Sequence, residues 1–179
     1  MSVYTMLILI AINIFTVYNI YVFVRLGVPE NISATYYLLE KRHLHLGLLI
    51  PLMTIILGLT MTIAWIGIDK QLIQESYSVR FLLYVGAVSV GVIAVSSDYK
   101  RSKLFTIIHY TGSIITLFSG LLWIVLMNYK FFYIPLISSG WIVYAALLTG
   151  TLRQKALFWF ELMVIYSVQI MLFVLSLMF

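Results

Sequence analysis

The chain has no cysteine. That absence removes disulfides, thiolate metal sites and iron–sulfur clusters, and it leaves no redox compartment to infer. Charge is nearly as scarce: 9% of the 179 residues are Asp, Glu, Lys or Arg, against about 25% in an ordinary soluble domain. A soluble protein is therefore excluded. The N-terminus lacks a basic stretch, its apolar run is long, and no small-x-small site follows, so the pattern of a cleavable signal peptide is missing and the first helix is expected to be retained. The net charge is +5, but the basic residues lie scattered in short loops. No patch or motif remains for a nucleic-acid reader, and nucleic acid is not expected among the partners.

What is present is apolar sequence. Hydrophobic residues make up 63% of the chain and the mean hydropathy is +1.08. Six runs without charge, apart from Glu161 in the last, cover 3–24, 43–68, 81–97, 104–129, 131–152 and 156–179. A membrane-spanning helix needs roughly 20 apolar residues, with a working range of about 17–25. The expectation is an all-α polytopic integral membrane protein, a single bundle of six transmembrane helices, with no room for a soluble domain.

Loop charge sets the orientation. Arg25, Lys41 and Arg42, then Lys100, Arg101 and Lys103, then Arg153 and Lys155 fall on one side; Lys70, Arg80 and Lys130 fall on the other. Basic residues are retained in the cytoplasm. The first group is thus cytoplasmic and both termini lie outside, in the cytoplasmic (inner) membrane of a bacterium. Tyr36, Tyr37, Tyr77, Tyr129, Phe131, Tyr133 and Trp159 sit at span boundaries as an aromatic belt would.

Small and polar residues at helical spacing mark the faces that meet other helices, because they permit close approach and interhelical hydrogen bonds. In the second span the stripe is His43, Gly47, Pro51, Thr54, Gly58 and Thr62; in the third, Ala87, Gly91, Ala94 and Asp98. In the fourth it is Thr106, His109, Ser113, Thr116 and Gly120, flanked by Tyr110 and Ser119. The sixth places Glu161 near the face of Gln169 and Ser176, and the first contributes Asn13, Thr16 and Asn19. Of the close pair His43 and His45, only one can face inward, and His43 continues the stripe.

The ionisable residues share one depth. Glu40 and His43 open the second span, Asp98 closes the third, His109 opens the fourth and Glu161 opens the sixth. An ionisable group inside a span costs roughly 2.5–3.5 kcal/mol at the bilayer centre and less near its surface, and it usually faces the bundle interior. These positions predict an inner-leaflet polar pocket lined by His43, Asp98, His109, Tyr110, Ser113 and Glu161. Asp98 ends a helix, where the macrodipole disfavours a carboxylate; Arg101, Lys100 or His109 is its expected partner. The blander alternatives give His109 a hydrogen bond to a neighbouring helix and let Glu161 snorkel or pair with Arg153 or Lys155.

Three functions are open to such a chain. The leading one binds or transports a small or amphipathic ligand, with Lys100, Arg101 and Lys103 on anionic lipid headgroups. The second is a metal-dependent membrane hydrolase acting on a lipid, holding zinc with His43, Asp98 and His109 and using Glu161 for proton transfer. The third is a structural subunit of a membrane complex, as a homo-oligomer or with a membrane partner, with no pocket at all. Ile50-Pro51-Leu52 and Ile134-Pro135-Leu136 recur in the middle span of each three-span half, a hint of the inverted repeats found in transporters.

The segment Val28-Pro29-Glu30-Asn31-Ile32-Ser33-Ala34-Thr35-Tyr36-Tyr37 follows the first span, with Asn31 or Ser33 able to cap a short interfacial helix. With Asp98 in the loop before the fourth span and His109 inside it, this arrangement resembles a group of uncharacterised small polytopic membrane proteins of bacteria and bacteriophages. The resemblance implies the six-helix plan and no chemistry. A looser similarity is to ceramidase-like membrane hydrolases, which implies Ser33 or Ser97 with Asp98 and His109 about zinc. The chain departs from that pattern in having six spans and no histidine pair in the last.

Overall fold

The computed structural model describes residues 2–41, 49–72, 80–96, 98–127 and 133–177. Every regular element among them is a helix: α1 (Val3–Leu26), α2 (Thr35–Glu40), α3 (Leu49–Leu72), α4 (Arg80–Val95), a 3-10 turn (Tyr99–Arg101), α5 (Lys103–Met127), α6 (Tyr133–Leu148) and α7 (Ala156–Ser176). The all-α expectation holds. The six-span expectation is met in part, because four helices, α1, α3, α5 and α7, are long and apolar enough to cross a membrane. Helices α4 and α6 are apolar but have 16 residues each, about 24 Å at 1.5 Å per residue, short of a hydrocarbon core of roughly 30 Å.

These helices need an apolar solvent. At most 44% of any spanning window is buried against the rest of the protein. Val17, Val88, Val95 and Leu148 are between 66% and 82% exposed, which in water would be an aggregation surface and in lipid is an ordinary contact. The helices run to these lengths because their backbone hydrogen bonds must close internally in lipid.

The start and end of α1 are written locally. Ser2 Oγ accepts from the backbone N–H of Thr5 at 3.1 Å, an N-cap that satisfies one of the free donors of the first turn. Gly27 ends the helix with φ 74° and ψ −168°, a backbone region essentially restricted to glycine, while its N–H still bonds the Phe23 carbonyl at 3.2 Å. The chain then turns back. Asn31 Oδ1 accepts from Ala34 N at 2.7 Å and so caps the turn that leads into α2; of the two expected candidates, Asn31 and Ser33, it is Asn31 that does so.

Lipid tails are as apolar as leucine, so helix association rests on close packing and hydrogen bonds and not on a hydrophobic drive between helices. The small residues supply the approach. A Cβ added at Gly120 would lie 2.9 Å from Val168 of α7, and one at Gly86 would lie 3.0 Å from Ser119 Oγ and 3.3 Å from the Trp65 ring. Helix α1 lies antiparallel to α7, tied by Thr5 Oγ1 donating to the Ser176 carbonyl at 3.2 Å and by the Thr16 and Tyr166 hydroxyls at 3.0 Å. One core cluster gathers Ile8, Trp65, Ile68, Leu82, Trp123 and Met171; a second gathers Phe15, Met53, Ala146, Phe158, Trp159 and Leu162.

The contact face of α4 differs from the sequence expectation. Leu82, Gly86, Ser89, Ala94 and Ser96 are buried and Ala87 and Ile93 are half-buried, whereas Gly91 is exposed with nothing within 4 Å of an added Cβ. The expected stripe is thus met in part: Ala94 is buried, whereas Gly91 turns away and Leu82, Gly86, Ser89 and Ser96 carry the contact. Both stripes hold small residues at the same spacing, and the positions of α3 and α5 select between them: Gly86 faces Trp65 of α3, and a Cβ at Gly112 of α5 would lie 3.4 Å from the Ser89 carbonyl.

Candidate functional site

Between the two core clusters lies a cavity of about 210 Å³. Its walls come from α3 (Met53, Thr54, Leu57, Gly58, Met61, Trp65), α5 (His109, Ser113, Thr116, Leu117, Gly120) and α7 (Glu161, Val164, Ile165, Val168, Gln169). Phe15 of α1, Val90 and Ile93 of α4, and Ile32 and Ser33 of the returning segment complete it. From Glu161 to Gln169 is eight residues, about 12 Å along the α7 axis, and from His109 to Gly120 about 16 Å along α5. The lining stripes of α3, α5 and α7 are those the sequence marked: Thr54 and Gly58; His109, Ser113, Thr116 and Gly120; Glu161 and Gln169.

One end of the cavity is polar. His109 lies about 9 Å into α5 and is 2% exposed. Its Nε2 is 2.7 Å from Ser33 Oγ and its Nδ1 is 3.2 Å from Ser96 Oγ. The Tyr99 ring stacks on the imidazole with centroids 4.7 Å apart and planes 19° apart. Glu161 Oε2 accepts from the backbone N–H of Ile32 at 2.7 Å. The partner of Glu161 is thus a backbone amide beside Ser33, and not the basic residues before α7, because the returning segment fills the space between α5 and α7. Tyr18 and Thr35 join their hydroxyls to hold that segment against α1.

Farther in, three of the lining side chains each carry a buried polar atom without a hydrogen-bond partner among the described residues: Trp65 Nε1, Thr116 Oγ1 and Gln169 Oε1. A buried polar group left without a partner costs about 1–3 kcal/mol. Of the three, Trp65 Nε1 can only donate, Gln169 Oε1 can only accept and the Thr116 hydroxyl can do either.

Asp98 stands apart from this site and does not line the cavity. Its Oδ1 accepts from the Tyr37 hydroxyl at 3.0 Å, and that oxygen in turn accepts from the Lys100 backbone N–H at 2.5 Å. The Lys100 ammonium sits 4.9 Å from the centre of the Tyr37 ring, a cation–π distance. The expected ion pair with Lys100, Arg101 or His109 is replaced by this tyrosine hydroxyl, since α2 packs over the 3-10 turn. Burial raises the Tyr37 hydroxyl above its ordinary pKa, and Asp98 adds to the rise. Tyr99 is pushed up to about 12, first by burial and then by Tyr110.

Tyr110 is 41% exposed, its ring 5.6 Å from Tyr99, and it lies outside the cavity lining. Lys100, Arg101 and Lys103 are all exposed at the end where His109 and Glu161 lie. His43 and Ser97 lie outside the described residues. Among the described residues no group of three His, Asp or Glu side chains is placed to hold a metal, and Asp98 and His109 bond to different partners. Of the six pocket residues expected from sequence, the structure brings together His109, Ser113 and Glu161. Ser96 was missed, although it continues the Ser89–Ile93 stripe at helical spacing. Ser33 was read only as a cap or a zinc neighbour. No family model, curated protein or solved structure matches this chain.

Proposed function

We propose that the chain is a six-span protein of a bacterial cytoplasmic membrane, with both termini outside, that binds or moves a small amphipathic ligand through its intramembrane cavity. The observation that carries this reading is a mostly apolar cavity with the hydrogen-bonded Ser33, His109 and Glu161 at one end. Drug-sized pockets begin at roughly 300 Å³; about 210 Å³ suits one slim chain. The ligand's polar end meets Ser33, His109 and Glu161, and its apolar body lies along Leu57, Leu117 and Val164. Lys100, Arg101 and Lys103 face anionic headgroups at that end, each contributing about 1 kcal/mol near the surface.

The test is native mass spectrometry of the detergent-purified protein with an ether-linked single-chain phospholipid, which has no ester, added as probe. Retention of one probe molecule is expected in the wild type, with loss in Ser113→Leu, which fills the cavity from α5. Asp98→Asn is expected to retain it, because Asp98 lies outside the lining. A wild type that releases the probe under conditions where annular lipid is also stripped would refute the reading and favour a purely structural role.

A further inference from the structure

We propose that Ser33 is a nucleophile and His109 its general base, making the polar end of the cavity a site of acyl transfer on an ester-bearing amphiphile. This rests on the reading of the cavity as an amphiphile site. Ser96 Oγ donates its single hydrogen to the Val92 carbonyl, at 2.6 Å, a bond in which the carbonyl can only accept. Toward His109 Nδ1, at 3.2 Å, Ser96 Oγ must therefore act as acceptor. Nδ1 carries the ring hydrogen, and Nε2 presents a lone pair.

Nε2 then accepts from the Ser33 hydroxyl at 2.7 Å. A hydroxyl within hydrogen-bond reach of a neutral imidazole, itself oriented by a third group, is the general arrangement of an activated serine. Ser96 is the positioning residue. Ser33 and His109 both line the cavity, whose depth would take the acyl chain. The Tyr99 ring, stacked on the imidazole, favours the imidazolium that forms on proton uptake. Glu161 holds the Ile32 N–H and so fixes the residue before the nucleophile. The Ser33 backbone N–H donates to nothing among the described residues and is the donor available to a developing oxyanion.

The step balances with water as co-reactant. Ser33 Oγ bonds to the ester carbonyl carbon while its proton passes to His109 Nε2. The carbon–oxygen bond to the alcohol breaks and His109 returns the proton to that leaving oxygen. Water then attacks the Ser33 ester, again through His109, releasing the carboxylic acid and restoring the hydroxyl.

The probe is a long-chain alkyl fluorophosphonate, added to the full chain in detergent micelles. Ser33 Oγ would bond to phosphorus, fluoride would leave, and the proton would pass to His109. One adduct per chain, mapped to Ser33 by peptide mass spectrometry, is the expected result. Ser33→Ala should carry none, and His109→Gln should label at least about 100-fold more slowly, the lower range of general-base catalysis. Ser96→Ala should label about tenfold more slowly, with the rate restored in Ser96→Thr, which keeps the hydroxyl. An ether-linked single-chain phospholipid, which has no ester, reports binding separately in the same preparations. Retention of that ether lipid without a Ser33 adduct would overturn the nucleophile and leave the binding site standing; failure of both would overturn both. Because the wild-type adduct is mapped directly, the outcome does not depend on any variant folding.

Discussion

Replacing Gly27 by alanine should destabilise the protein although nothing stands in the way of the new methyl group. No atom lies within 4 Å of an added Cβ there, so contacts alone would forecast no effect. The backbone forecasts otherwise. At φ 74° and ψ −168°, a residue with a Cβ costs of order 1–3 kcal/mol, and the denatured loop, free to leave that region, does not share the cost. Gly140 supplies the control: it too has nothing within 4 Å, but it sits inside α6 without a positive φ. Gly140→Ala should be neutral or stabilising by at most about 1 kcal/mol. Both changes are read by reversible unfolding in mixed micelles with increasing denaturing detergent. Equal effects in the two variants, or a Gly27→Ala change below about 0.5 kcal/mol, would refute the argument from backbone conformation. Gly27 also aims the returning segment, so Gly27→Ala is expected to weaken ligand retention, whereas Gly140→Ala is not.

Glu161 supports two further expectations. Glu161→Gln keeps an acceptor for the Ile32 N–H and should unfold within about 0.5 kcal/mol of wild type, while Glu161→Leu leaves that donor unmet and should lose about 1–3 kcal/mol; equal stabilities in the same unfolding assay would break the assignment. Tyr99 predicts a pH effect. Its folded pKa is raised from 10.0 to about 12, so the folded state keeps a proton that the unfolded state releases. Stability from this source is complete below about pH 10 and declines as pH rises toward 12. Tyr37 shifts in the same direction, so Tyr99→Phe should make the decline shallower without abolishing it. A decline of unchanged slope in Tyr99→Phe would contradict the raised pKa.

The sequence by itself determined the solvent of this protein and the kind of element it builds. Long uncharged runs make burial in lipid favourable, and lipid obliges each run to close its own backbone hydrogen bonds, so helices follow from composition and length. The 3.6-residue spacing of Thr54 and Gly58, of His109, Ser113, Thr116 and Gly120, and of Glu161 and Gln169 also disclosed which faces of α3, α5 and α7 turn inward. On α4 that logic was met only in part, because two adjacent stripes both carry small residues: Ala94 is buried, Gly91 is not, and the packing of Trp65 on Gly86 and of Gly112 on Ser89 made the choice. Tertiary structure alone decided the partners. Ser33 meets His109 across 76 positions and Ile32 meets Glu161 across 129, and Asp98 takes a hydroxyl from α2 where its own neighbours offered cations. A hydroxyl or a backbone amide carries no signature of periodicity or charge, so its partner is fixed only when folding brings two distant segments within about 3 Å.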